Sequence, residues 1–320
     1  MTTASEIPAL TPALTPAALD TLNQQFGHPG RIDFSLDPQG LVLVQLQFEQ
    51  HKASFYLQGA HLTSYQPAQC EEVLWVSSCA VFAPGTAIRG GIPLCWPWFG
   101  AHETLHDRPQ HGFARTGMFE VREVEVAAGY TRVCCALVQL PEFDEWLSPD
   151  KTAGVMEMLV DICLSTDLAV SVSSRNLAAA PVTVGAALHT YLRVGDVGKV
   201  IVPELKDLYY KDKLRGYEQR RQDQPLVVEA EVDRVYLAPP ARVTLHDPLL
   251  KRDIQLHCSG NNDLVVWNPG ADKALAMKDF DDRGYLNMLC LEPALALTNV
   301  IELAPEEIHV LRMVLSVSAH

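Results

Sequence analysis

A guanidinium stands at each end of one unusual stretch of this 320-residue chain. Arg89 opens Arg89-Gly-Gly-Ile-Pro-Leu-Cys-Trp-Pro-Trp-Phe-Gly100, and Arg115 closes Gln110-His-Gly-Phe-Ala-Arg115 shortly after. Proline removes a backbone donor and fixes φ, while glycine admits positive φ, so this mixture suits neither a helix nor a plain strand. It predicts a rigid, irregular loop that lets backbone and aromatic faces come close to a ligand. Planar arginine forks match the oxygens of an anion at the rim of such a loop. The plainer alternative is a buried aromatic turn with surface arginines. Two more groups stand out. Glu292 follows the apolar run Met288-Leu289-Cys290-Leu291, and a carboxylate there must be paired, exposed by alternation, or functional. His189 ends the apolar run Val182–Leu188. Taken alone it reads more readily as a hydrogen-bonded core or surface strand residue than as a proton donor.

Other chemistry is poorly supported. His102-Glu-Thr-Leu-His106 satisfies H-E-x-x-H, but zinc ligation requires a helix that turns both histidines one way. Pro97, Gly100 and Pro109 bracket the segment and leave room for about two helical turns. No third ligand is announced nearby, so a chance match in a polar loop is the better reading. There is no G-x-G-x-x-G, Walker A or G-x-S-x-G motif. Asp279, Asp281 and Asp282 lack calcium-loop spacing and read as a solvated turn.

The ordered set Arg89–Gly100, His111–Arg115, Leu188-His-Thr-Tyr-Leu192, Val232-Asp-Arg-Val-Tyr236, Val265-Val-Trp-Asn-Pro269 and Leu291-Glu-Pro-Ala294 resembles the hexose-6-phosphate mutarotases. These are the glucose-6-phosphate 1-epimerase branch of the aldose 1-epimerase group. The resemblance runs from about residue 30 to residue 317. It implies that His189 is the general acid and Glu292 the general base of anomer exchange. It further implies that Arg89 and Arg115 hold a phosphate and that Asp233 accepts from sugar hydroxyls. Gln110 and His111 lie beside the arginines as candidate sugar contacts. Trp96 and Trp98 could offer a stacking face, with one of them expected in the core. At ordinary pKa values the glutamate would be ionised near neutrality and the histidine able to donate. No cofactor and no metal is implied. The expected substrate is a small sugar phosphate, and the unphosphorylated-sugar epimerases and a non-catalytic carbohydrate-binding protein are the alternatives.

The elements that must position these groups are strands. Val42, Val44, Leu46 and Phe48 alternate with polar residues, which is the period of a half-buried strand. Phe119–Val126 with 132–140, and 155–165 with Leu168–Asn176, read as hairpins. Further strands are expected over Val182–Val194, 242–245, 253–258 and 308–317, with exposed excursions over 206–224 and 269–282, the second with a helical turn. Thr15-Pro16 followed by Leu19, Leu22 and Phe26 predicts a short N-terminal helix. The fold class is therefore all-β, a large antiparallel β-sandwich. The resemblance implies the galactose-mutarotase-like supersandwich. We expect an extension with a docking helix over residues 1–30 and one domain over 31–320.

Composition agrees. A net charge of -14 opposes a nucleic-acid partner. A phosphate must therefore be caught by local arginines, without help from the overall field. The eight cysteines form no C-x-x-C pair and read as small hydrophobes and not as disulfides. With no secretory signal and no run of about twenty apolar residues, the expectation is a cytoplasmic monomer with no membrane partner.

Overall fold

A computed structural model describes residues 15–102, 107–138 and 156–320. The motif residues Glu103 and His106 lie outside the described residues, as do the strand ends assigned to 139–140 and 155. Antiparallel sheets dominate. A seven-stranded sheet runs in the order Arg242–Asp247, Arg252–Ser259, Ile308–Ala319, Leu168–Asn176, Met156–Leu164, Thr131–Leu137, Phe119–Val126. A second, larger sheet carries the candidate site. Its path is Glu218–Arg221, Tyr209–Asp212, Val232–Leu237, Asp263–Asn268, Met288–Leu295, Ala186–Leu188, Leu94–Cys95. A four-stranded sheet over residues 32–66 shares their apolar core.

The N-terminal helix forms over Pro16–Phe26, with the Thr15 hydroxyl accepting from the Ala18 N–H. Leu19, Leu22 and Phe26 pack on the core, and Asn23 exchanges two hydrogen bonds with the Phe34 backbone. Helical structure elsewhere among the described residues is short; Gly270–Ala276 supplies the expected turn in the second excursion. All eight cysteines are free.

Two expectations need correction. Residues 206–224 are not a mere excursion, because Tyr209–Asp212 and Glu218–Arg221 pair and extend the site sheet by two strands. Nor is Val182–Val194 one strand. Val182–Val184 pairs with Ile301–Leu303, Ala186–Leu188 pairs with both Leu94–Cys95 and Met288–Leu295, and Tyr191–Arg193 returns to Met288–Leu295. The second break has a local cause. The Thr190 N–H and hydroxyl both bond the Leu188 carbonyl, at 2.8 and 3.0 Å. That kinks the chain at His189, whose N–H turns to the Pro93 carbonyl instead.

Candidate active site

The strand Met288–Leu295 is buried along its whole length, because both of its faces are covered. Its alternation sorts the side chains. Leu289, Leu291 and Leu295 enter the main core. Cys290, Glu292 and Ala294 point the other way. Pairing places Val265 opposite Glu292, Trp267 and Tyr191 opposite Cys290, and Asp233 opposite Trp267, so these side chains share that second face. Small side chains floor it: Cys95, Ala187, Val235, Val265 and Ala294. Trp75, Tyr191, Trp267 and Phe280 form an aromatic wall beside them.

His189 and Glu292 meet here, although they are 103 positions apart by their numbers (292 − 189). The His189 Nδ1 lies 3.2 Å from the Glu292 Oε1. The contact is close but not aligned as a hydrogen bond, and the Nδ1 and the second carboxylate oxygen are both buried without a partner. Tyr191 stacks on the imidazole at 4.7 Å and 7°, and Trp267 meets it edge-on. Burial drives both members toward their neutral forms. It lowers the His189 pKa well below 6.5, helped by His111, Arg89 and Arg115. It raises that of Glu292 well above 4.5, helped by Asp233 and opposed by Lys213. The expectation of an ordinarily ionised glutamate is thus corrected. With one exchangeable proton on the two facing atoms, one partner would be an acid and the other a base whichever atom carries it.

A cavity of about 610 Å³ opens in front of the His111 ring, whose centre lies 5.8 Å from that of His189. Gln110, His111 and Asp233 line it together with Trp98, Lys213 and Tyr217. The His111 Nδ1 accepts from the Gly100 N–H at 3.3 Å. Burial, then Arg115, Lys213 and Arg89, lower its pKa to about 3. The ring is therefore neutral with its proton on Nε2, a fixed donor. Asp233 is buried in a strand and bonded to the Lys213 Nζ at 2.9 Å.

The glycine-rich loop makes the close backbone approaches that its composition predicts. Gly112 has φ +72°, and a Cβ there would sit 1.9 Å from the Trp96 carbonyl oxygen; at Gly91, φ +66°, it would sit 2.0 Å from that of Leu62. These approaches set the two arginines on either side of the motif. Arg115 donates from Nη2 to the Gln110 carbonyl and has no carboxylate partner among the described residues. Arg89 does have one: its guanidinium grips Asp279, Nη2 to Oδ2 at 3.0 Å and Nε to Oδ2 at 3.1 Å, while Nη1 donates to the Tyr191 hydroxyl. Burial opposes the Arg89 charge, but Tyr191 and Asp279 outweigh it and raise the pKa. Asp279 does lie in a turn and is part-exposed, as expected, but it is paired with Arg89 and not merely solvated. The tryptophans divide as expected. Trp96 is core, its Nε1 donating to the Ser174 hydroxyl, and Trp98 faces the cavity.

His189, Cys290 and Glu292 bring nitrogen, sulfur and oxygen within 4.8 Å, a donor set a metal could use. Burial raises the Cys290 thiol pKa well above its ordinary 9.0. Sequence reasoning missed Lys213, Tyr191, Trp267 and Asp279. Tyr191 carried a usable signal, since it stands two residues from His189; Lys213 and Asp279 sit in charged stretches and carried none.

The model of the family described as aldose 1-epimerase matches residues 42–316. The chain belongs to the aldose 1-epimerase family. Among members, a protein of Cenchrus ciliaris named "Putative glucose-6-phosphate 1-epimerase" is 37% identical over 84% of this chain and 83% of its own. One of the same name from Escherichia coli K12 is 35% identical over 80% and 84%. The crystal structure of a mutarotase-designated protein from Salmonella typhimurium superposes with a TM-score of 0.81 at 29% identity, covering 94% of this chain and all of that one. A galactose 1-epimerase from Lactobacillus acidophilus shares the fold at 12% identity and a TM-score of 0.69. No helix among the described residues is long and apolar enough to cross a membrane.

Proposed function

We propose that this epimerase interconverts the α and β anomers of a hexose 6-phosphate, glucose 6-phosphate first among them. The observation that carries the reading is the buried His189–Glu292 contact at 3.2 Å, with the His189 ring centre 5.8 Å from that of His111, which lines the cavity. Anomer exchange needs a base to take the C1 hydroxyl proton and an acid to protonate the ring oxygen. The C1–O5 bond then breaks, C1 becomes an aldehyde, and rotation about C1–C2 presents its other face. Reclosure reverses both transfers with the roles exchanged. His189 and Glu292 supply one acid and one base in either tautomer, and the proton count of the pair is unchanged over the cycle. His111 Nε2 and Asp233 are the neighbouring donor and acceptor for sugar hydroxyls. Arg89 and Arg115 serve the phosphate, and the names of the similar proteins favour the phosphorylated substrate.

Exchange spectroscopy of the anomeric protons tests this, with glucose 6-phosphate and glucose at equal enzyme concentration. Rapid exchange of the phosphorylated sugar is expected, and a preference for free glucose would overturn the substrate assignment.

A further inference from the structure

The phosphate reading leaves one fact unexplained. Arg89, one of its two cations, is already held by a carboxylate in two-point fashion and by a phenol at its third nitrogen. The side-on fork of that side chain, Nε with Nη2, opens to a substrate only if Asp279 leaves it.

The surroundings say which partner can. Tyr191 is fully buried and stacked on His189, so moving it would disturb the acid. Asp279 is only part-buried, its side chain 31% accessible, and lies between Gly270–Ala276 and a short turn at Gly284–Asn287. The chain around it is pinned. Phe280 is buried against Trp75, and the Asp281 N–H donates to the Ser77 hydroxyl while its carboxylate accepts from Ser78 and the Arg283 N–H. Asp279 can therefore swing away by rotating its side chain alone, with no loop movement.

The competition has a defined sign. A carboxylate presents two oxygens and one negative charge; a phosphate monoester near neutrality presents three oxygens and about −1.5 to −2. Both fit a guanidinium fork, and the stronger anion takes the fork more readily from a carboxylate already seated there. We propose that Asp279 is an internal competitor for the phosphate subsite, which neutralises Arg89 in the empty enzyme and yields to a phosphate dianion. Every anion that enters meets the same cost of displacing Asp279, so the carboxylate lowers the affinity of all of them by one factor and leaves the more strongly held phosphate as the anion bound at working concentrations. This rests on the reading that Arg89 serves the phosphate.

The experiment compares wild type with Asp279→Asn and Asp279→Ala, reading the KM of glucose 6-phosphate against that of glucose, with inorganic phosphate and glucuronate as competitive inhibitors. Removing a part-exposed competitor should lower the glucose 6-phosphate KM about fivefold, the upper range for such an ion pair, and strengthen inhibition by inorganic phosphate and by glucuronate by a similar factor. An unchanged or raised KM for the phosphorylated sugar in a folded Asp279→Asn protein overturns the proposal. In the raised case the carboxylate orients Arg89 and does not compete for it. Arg89→Met separates the two readings. If that variant keeps its preference for glucose 6-phosphate, the phosphate role of Arg89 falls. If the preference is lost while Asp279→Asn behaves as wild type, only the competitor role falls.

Discussion

The two faces of the strand Met288–Leu295 are equally buried and do opposite things. On one, Leu289, Leu291 and Leu295 fill the main core. On the other, between Cys290 and Ala294, the Glu292 carboxyl group lies at 1% exposure without a full set of partners. A leucine costs nothing to bury, whereas an incompletely bonded carboxyl group costs stability. Burial by itself therefore does not distinguish scaffold from chemistry along this strand. What distinguishes them is whether the buried atoms are satisfied. Substitutions on the two faces should separate activity from stability.

The largest effect is expected from Glu292→Gln. It keeps the shape and removes the exchangeable proton site, and anomer exchange should drop by about 10²–10⁴-fold. Thermal unfolding should show the fold intact, because a neutral amide replaces a group the fold already holds near its neutral form. Retained exchange would end the distinction between the faces. Leu291→Ala, its neighbour on the core face, should behave oppositely. Truncating a fully buried leucine should cost about 3 kcal/mol in denaturant melts, while exchange per folded molecule stays near wild type. Arg115→Ala should raise the KM for glucose 6-phosphate by about tenfold, with a much smaller change for glucose. Equal changes for both sugars would detach Arg115 from the phosphate.

The smallest effect concerns pH. His61 is fully buried, its Nε2 contacts the Gly90 carbonyl at 2.7 Å, and burial lowers its pKa from 6.5 to about 4. Between those values the unfolded chain takes up a proton that the folded protein refuses. Its contribution to stability is therefore whole above about pH 6.5 and declines on acidification, by about 1 kcal/mol per pH unit at most, until about pH 4. Urea melts from pH 7 to pH 4 should show a shallower decline in His61→Gln than in wild type.

How much of this could be read beforehand varied with the range of the interaction. The period-two pattern of Val42–Phe48 and the hairpin over 156–176 were legible, because alternation is local. The N-terminal helix was legible from Thr15-Pro16. The breaks in Val182–Val194 were not. An apolar run gives no sign that the Thr190 hydroxyl will take its own neighbour's carbonyl. Glu292 and His189 stood out from their apolar runs, but their roles and the choice of Asp233 came only through the family's motifs; their meeting depends on strand register, which no local signal carries. Lys213 and Asp279 escaped for a related reason, since their partners Asp233 and Arg89 are remote in the chain.

The interrupted stretch Val182–Arg193 has a consequence for how activity is born. It is stitched in turn to residues 301–303, 94–95 and 288–295, so the imidazole gains its setting only when three distant parts of the polypeptide have closed on it. Contacts this remote form slowly, and no half-built intermediate or excised fragment lacking any of the three should turn over sugar. Catalysis here is a report on completed assembly, and the first anomer exchanged during refolding would mark the moment the last seam is sewn.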